Sequence, residues 1–311
     1  MNKSILISEF ISPQALQFLR EKHEVIYDPE LYKDPLKIKE SIQNVQGFIV
    51  RNLTQVNEDI LSAAPHLKVV GRLGVGLENI ELPACAQRNI TVIPATGANA
   101  QSVAEYVIGS VIALSRRFEQ ATQLTLEGKW PRSTFSVQAE CAGKYLGIIG
   151  FGSIGKVLAR NANGLGLRCI AYDPFLSGSE VAMGDFSVPL MSLQDLLGKS
   201  DYVSLHLPLL PETKNLFNAA TLDLMKDGAI LINTARGGIL DEHALAERLR
   251  SGRIGGAAID VFSAEPARDL SHFVNIPNLI LTPHIAGVTA ESNERVSQLI
   301  ANEVSNYLEK N

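Results

Sequence analysis

The sequence predicts an α/β protein made of two doubly wound parallel sheets, and three observations carry that prediction. Short apolar runs alternate with helical patterns over most of the chain, as parallel strands with helical crossovers do. The alternation stops near residue 97, gives way to a long helical stretch, and then resumes. At 311 residues the chain is long enough for two domains, each with its own core.

The runs ILI at 5–7, VIY at 25–27, FIV at 48–50, VV at 69–70 and TVI at 91–93 read as the strands of a first, five-stranded unit. Ser12 before Pro13 is an N-cap and first-turn signal, and Leu16 and Leu19 supply the apolar face of the helix that follows. From about Asn99 to Leu126 the pattern is one long helix through Val103, Val107, Val111, Ile112 and Leu114. It serves as a crossover, its apolar surface covered either within the chain or by a second subunit. Runs at 145–149, 168–172, 202–206, 229–233, 257–261 and 279–281 then give the strands of a second sheet. Thr289 to Leu308 is an amphipathic helix through Val296, Leu299, Ile300, Val304 and Leu308, and it should return to the first unit. The expected domains are residues 1–97 with 287–311, and 98–286.

Within the second unit, Tyr145 to Asp173 reads as strand, turn, helix and strand. Gly150, Gly152 and Gly155 follow the first strand in the spacing G-x-G-x-x-G, and Ser153 and Ile154 open the helix. Gly150 permits the tight turn, Gly152 lets a pyrophosphate approach the backbone, and Gly155 lets helix and strand lie close. The helix N-terminus favours negative charge. Asp173, at the end of the second strand, suits the ribose 2′-hydroxyl of NAD, and Pro174 and Phe175 after it offer nothing to a 2′-phosphate. The expected cofactor is NAD.

A net charge of −5 gives no general reason to bind nucleic acid or an anionic membrane. Cys85, Cys141 and Cys169 are scattered, which suits a reducing compartment and forms neither a disulfide framework nor a metal-ligand spacing, so no metal is expected. The N-terminal apolar run ILI is too short for a signal peptide, and the longest apolar stretch, Val107 to Leu114, falls far short of the roughly 20 residues that span a bilayer. A cytoplasmic enzyme is expected.

In open α/β sheets, ligands sit at the carboxyl ends of strands. In the second unit those ends carry Arg236 in NTARGG, Asp260 and Glu265 in AIDVFSAEP, and His284 in LTPHIAG. A 2-oxo acid undergoing hydride transfer needs a cation for its carboxylate, a proton donor for its carbonyl oxygen and a group that tunes the donor. Arginine holds a carboxylate in a planar fork. An imidazole exchanges protons near neutrality, and a neighbouring carboxylate orients it. Singly, each residue has a structural explanation as an ion-pair partner, loop acid or strand-end hydrogen-bonder; their arrival at successive strand ends points to chemistry. His206, closing YVSLH, is a cofactor-side contact or a structural histidine.

The segments VRNLTQV, VVGRLGVGLENI, GIIGFGSIGKVLA, HLPLLPETKNLFN, LINTARGGILDEHAL, GAAIDVFSAEP and LTPHIAGVT resemble the D-isomer-specific 2-hydroxyacid dehydrogenases. Within that family the likeness is nearest to the catalytic portion of the D-3-phosphoglycerate dehydrogenases, without the further regulatory domain some of them carry. The resemblance implies a Rossmann cofactor domain inserted into a flavodoxin-like substrate domain, with the glycine turn at the floor of the cleft between them. It makes His284 the acid/base, Glu265 its partner and Arg236 the clamp on substrate. The implied cofactor set is Gly150, Gly152, Ser153, Ile154, Gly155, Asp173, His206, Pro208, Thr213, Thr234, Ala235, Asp260 and His284. Substrate would be held by backbone N–H groups of Leu73, Gly74, Val75 and Gly76 together with Arg236. Arg51, Arg72 and Arg132 would hold a second anionic group, Arg132 coming from the partner of a homodimer. Asn52 and Leu53 depart from the smaller residues usual in the phosphoglycerate branch, which suggests another acid such as 3-sulfolactate. Hydroxypyruvate or glyoxylate reduction is an alternative, and an NAD-sensing corepressor-like binding protein is the rival from another class. Formate dehydrogenases, a further rival, lack a glutamate in the role given to Glu265.

Overall fold

The computed structural model describes residues 3–311. The chain forms two compact units, Met1–Asn99 with Val288–Asn311, and Ala100–Gly287.

In the first unit, β1 (Ser4–Ile7), β2 (Glu24–Tyr27), β3 (Gly47–Val50), β4 (Val69–Arg72) and β5 (Thr91–Pro94) form a parallel sheet in the order β2-β1-β3-β4-β5. Successive strand residues face opposite sides, so each strand feeds two cores. Leu6, Phe48, Val50 and Val70 pack with Ile38, Ile42, Ile60 and Leu61 on one face. On the other, Ile5, Ile7, Ile49 and Val69 meet Val296, Ile300, Val304 and Leu308 of the helix Ala290–Lys310. That helix lies so close to β4 that a Cβ on Gly71 would stand 2.6 Å from Val304 Cγ2 and 2.7 Å from Ile300 Cγ2. Ser12 caps the helix Pro13–Lys22 by accepting from the Ala15 N–H.

The second unit contains β6 (Tyr145–Ile149), β7 (Arg168–Tyr172), β8 (Glu180–Ala182), β9 (Ser187–Pro189), β10 (Tyr202–Leu205), β11 (Ile230–Asn233), β12 (Gly256–Ile259) and β13 (Leu279–Leu281). Six of them form a parallel sheet, β13-β12-β11-β10-β6-β7, while β8 and β9 pair as a small antiparallel ribbon that the apolar pattern did not announce. The order reverses between β6 and β10, so the carboxyl ends of those strands flank the crevice where such sheets bind ligands.

The helical stretch expected as one piece is two helices, Ala100–Arg116 and Phe118–Leu126. Arg117 takes a left-handed backbone, φ 49°, which ends the first helix. Ala104, Val107, Val111 and Leu114 pack against Ile148, Leu158 and Ile232 within the second unit. The second piece buries no residue. No helix among the described residues is long and apolar enough to cross a membrane.

Candidate active site

At the carboxyl end of β6 the three glycines have separate steric duties. Gly150 has φ 91°, and a Cβ there would lie 2.6 Å from the His206 carbonyl oxygen at the end of β10. A Cβ on Gly155 would lie 2.7 Å from the Gly150 oxygen, so glycine lets the helix Ser153–Gly164 start against the turn. A Cβ on Gly152 would meet nothing within 4 Å, which leaves its backbone open to a phosphate. Gly152 is also the N-cap and has no capping side chain, so the first N–H groups of the helix remain for an anion.

Asp173 is tied to this turn. Its Oδ2 accepts from Phe151 N at 2.9 Å and its Oδ1 from Phe175 N at 2.9 Å, leaving lone pairs for ribose hydroxyls. Thr234 Oγ1 and His206 Nδ1 are buried polar atoms with no hydrogen-bond partner among the described residues. His206 Nε2 lies 2.8 Å from Ser204 Oγ, and burial lowers its imidazole from 6.5 to about 3, which keeps the ring neutral. Open glycine backbone, a fixed carboxylate and unsatisfied buried groups together fit a dinucleotide. Thr213 Oγ1 donates to Pro208 O at 2.6 Å and accepts from Leu210 N at 2.8 Å, which shapes the segment after His206.

Arg236, Asp260 with Glu265, and His284 follow three adjacent strands, β11, β12 and β13. Asn233 closes β11 and shapes the turn after it, its Oδ1 accepting from Ala235 N at 3.1 Å and its Nδ2 donating to Arg236 O at 3.2 Å. Half-buried Arg236 donates from one guanidinium nitrogen to Ala235 O at 2.6 Å. His284 Nδ1 lies 2.7 Å from Glu265 Oε2, and Glu265 Oε1 accepts from Phe262 N at 3.0 Å. This arrangement engages one imidazole nitrogen, Nδ1, and leaves the other, Nε2, open.

Asp260 has a further duty beyond the cofactor contact expected of it. Its carboxylate is buried and accepts from Ile285 N at 2.8 Å, Ala286 N at 2.8 Å and Thr282 Oγ1 at 2.5 Å. Its backbone oxygen also accepts from His284 N at 2.8 Å. Asp260 therefore holds the loop that presents the imidazole. Tyr106 completes this network, its hydroxyl 2.6 Å from Thr282 Oγ1, and burial raises its pKa. Tyr106 sits in an apolar helical run, where an aromatic residue signals core, so the sequence does not mark it.

In the first unit, the strand order reverses between β1 and β3, and the segments after them meet. Glu9 is 2% exposed, and its carboxylate accepts from the backbone N–H groups of Arg51, Leu53 and Thr54 at 2.8 to 3.0 Å. The Asn79 side chain adds bonds to Arg51 O and Thr54 O. An acid directly after the apolar run ILIS was the available sign of Glu9. Arg51 donates to Asn293 Oδ1 at 2.7 Å and lies over the Phe10 ring.

The loop 73–76 differs from its expected form. Leu73 N donates to Val50 O at the end of β3 at 2.8 Å and Gly74 N to Arg72 O at 2.7 Å, so two of the four N–H groups meant for a carboxylate are spent on backbone oxygens of the same unit. The Arg72 guanidinium folds over Gly74, where a Cβ would stand 1.5 Å from one of its nitrogens, and donates to Leu73 O at 3.2 Å. Arg132 is exposed. The three cysteines are free, and burial pushes the Cys169 thiol up to about 12, so it behaves as a small apolar side chain.

Comparison with known proteins shows the family. The family model of the D-isomer specific 2-hydroxyacid dehydrogenase, NAD binding domain, matches residues 108–286. The (S)-sulfolactate dehydrogenase of Chromohalobacter salexigens is 44% identical over 304 residues, covering 98% of both chains. The D-3-phosphoglycerate dehydrogenase of Archaeoglobus fulgidus is 36% identical over 303 residues, and the match spans 97% of this chain but 56% of that longer protein. Among solved structures, a glyoxylate reductase from Paecilomyes thermophila superposes with a TM-score of 0.88 at 26% identity, covering 99% of this chain and 96% of the other. With its glycine turn, Asp173 and the strand-end residues Arg236, Glu265 and His284 in place, the chain belongs to the D-isomer-specific 2-hydroxyacid dehydrogenase family.

Proposed function

We propose that this NAD-dependent dehydrogenase interconverts a small D-configured 2-hydroxy acid and its 2-oxo acid, the substrate carrying a second anionic group. The observation that carries the reading is the 2.7 Å bond from His284 Nδ1 to Glu265, which leaves Nε2 to serve a reacting oxygen. NAD, when bound, supplies the hydride acceptor or donor at substrate C2. In the oxidative direction His284 Nε2 takes the hydroxyl proton as the C2–O bond becomes a carbonyl; in reduction it returns that proton. Glu265 holds the ring in orientation and stabilises the imidazolium that forms. Arg236 clamps carboxylate and carbonyl oxygen.

The second anion is assigned to Arg51, Arg72 and Arg132. Phosphate, sulfonate and carboxylate share that chemistry, and the greater identity to a sulfolactate enzyme than to a phosphoglycerate enzyme supports sulfonate. The (S) descriptor of sulfolactate agrees with D geometry, because a CH2–sulfonate carbon outranks the carboxylate where the methyl carbon of lactate does not. We further propose a cytoplasmic homodimer. Phe118, Leu126, Trp130 and Val137 are 51%, 79%, 82% and 87% exposed, an apolar segment that a second copy would cover.

The reading is tested by NADH oxidation against 3-sulfopyruvate, 3-phosphohydroxypyruvate, hydroxypyruvate and glyoxylate. A dianionic acid should give the highest kcat/KM, and Arg51→Ala should raise its KM about tenfold or more, as expected for a lost charge-assisted hydrogen bond. His284→Ala should abolish turnover and retain NADH binding. No oxidation with any of the four acids would favour a nucleotide-sensing protein without turnover.

A further inference from the structure

Glu242 lies outside every role assigned so far. It is the first residue of the helix Glu242–Ser251, but the capping position is already filled by Asp241, which accepts from Ala244 N at 2.9 Å. Its side chain is only 10% exposed, unusual for a first-turn acid, and it turns toward a distant loop. Glu242 Oε1 accepts from both Ser263 N and Ser263 Oγ, each at 2.6 Å. Its Oε2 lies 3.4 Å from His272 Nε2, and that ring packs on His243 and Phe273.

Ser263 is the next residue after Phe262, whose N–H donates to Glu265 Oε1, while Glu265 Oε2 holds His284 Nδ1. The same pair of residues also lies against the turn bearing Arg236. A Cβ on Gly237 would stand 1.9 Å from Phe262 C and 2.4 Å from Ser263 N. The segment 262–265 has no helix or strand of its own. Its place therefore depends on such anchors, and hydrogen bonds to a carboxylate are the strong ones among them.

We propose that Glu242 is a positioning residue for proton transfer: by anchoring Ser263 it fixes the loop that aims Glu265 at His284. The proposal rests on the acid/base reading of His284 and Glu265 given above. Displacement of a catalytic group by a fraction of an ångström is costly to rate and nearly silent in binding.

The experiment is a double-mutant cycle on the full-length enzyme, using the best acid of the panel, joined to an imidazole spectrum that needs no turnover. Glu242→Ala should lower kcat about ten- to a hundredfold and leave the Kd for NADH unchanged. Glu242→Gln keeps an acceptor oxygen for Ser263 and should restore most of the rate, and Ser263→Ala, which removes one of the two bonds, should lose less than Glu242→Ala. In a Glu265→Gln background, Glu242→Ala should cost less than about twofold more, because coupled residues are not additive. An unchanged kcat in Glu242→Ala, or a loss of the same size in both backgrounds, would overturn the proposal. In 15N-histidine-labelled protein, the His284 ring signals, identified as those missing from His284→Gln, should move in Glu242→Ala in the direction seen for Glu265→Gln and hold their place in Glu242→Gln. Stationary His284 signals in Glu242→Ala would overturn the proposal whatever the activity. An inactive wild type whose His284 signals do move would refute the dehydrogenase reading and uphold the anchoring by Glu242.

Discussion

His284 adopts a left-handed backbone, φ 56°, at a residue with a bulky side chain, a conformation that costs on the order of 1 kcal/mol or more. The Asp260 carboxylate and backbone oxygen together accept from three consecutive N–H groups, those of His284, Ile285 and Ala286, which is how the conformation is held. His206 illustrates a different residue-scale effect. Unfolded, its imidazole takes a proton below about pH 6.5, whereas folded it resists protonation until about pH 3. The linked stability is therefore intact above pH 6.5 and is lost progressively as pH falls toward 3. At pH 5 the loss is at most about 2 kcal/mol, reduced by the part of His206 that remains in contact with solvent. His206→Gln should show a smaller drop in thermal midpoint between pH 7 and pH 5 than wild type, measured by calorimetry without cofactor.

At the scale of elements, the decisive contact is between the helix Ser153–Gly164 and the turn before it. Gly155→Ala would push a methyl group against the Gly150 carbonyl oxygen at 2.7 Å, and backbone cannot yield as a flexible side chain can. The expected result is a loss of about 1–3 kcal/mol of stability. Because the helix N-terminus retreats from the phosphates, the Kd for NADH should also rise about tenfold, read by fluorescence titration. The helix Ala100–Arg116 teaches the limit of periodicity. Its apolar stripe gave the buried face, while the break at Arg117 left no mark, since arginine is a good helix former and only its φ of 49° records the turn.

At the scale of the whole molecule, the first unit is assembled from two distant pieces of chain. Val296, Ile300, Val304 and Leu308 complete one of its cores, each side chain worth roughly 1.5–3 kcal/mol on burial. Their joint loss rivals the full stability of a domain, about 5–15 kcal/mol. A chain ending at Gly287 should therefore lose the thermal transition of the first unit and keep a second transition that NADH still raises. A single transition unaffected by NADH would contradict this.

The sequence by itself determined the two parallel sheets, because buried strands must be apolar on both faces and each run declared itself. It also marked the glycine turn, Asp173, and the positions of Arg236, Glu265 and His284 after successive strands, since those residues are polar where the pattern demands a strand terminus. Only the tertiary structure decided which groups do the holding. Glu9, Tyr106, Glu242 and the second duty of Asp260 act through hydrogen bonds to residues from 21 to 176 positions away in the chain. The physical reason is that periodicity reports how much of a side chain is buried, whereas a hydrogen bond depends on where two remote backbones are brought together. The spent N–H groups of Leu73 and Gly74 follow the same rule: a loop's spare donors are known only once its fold has used the others.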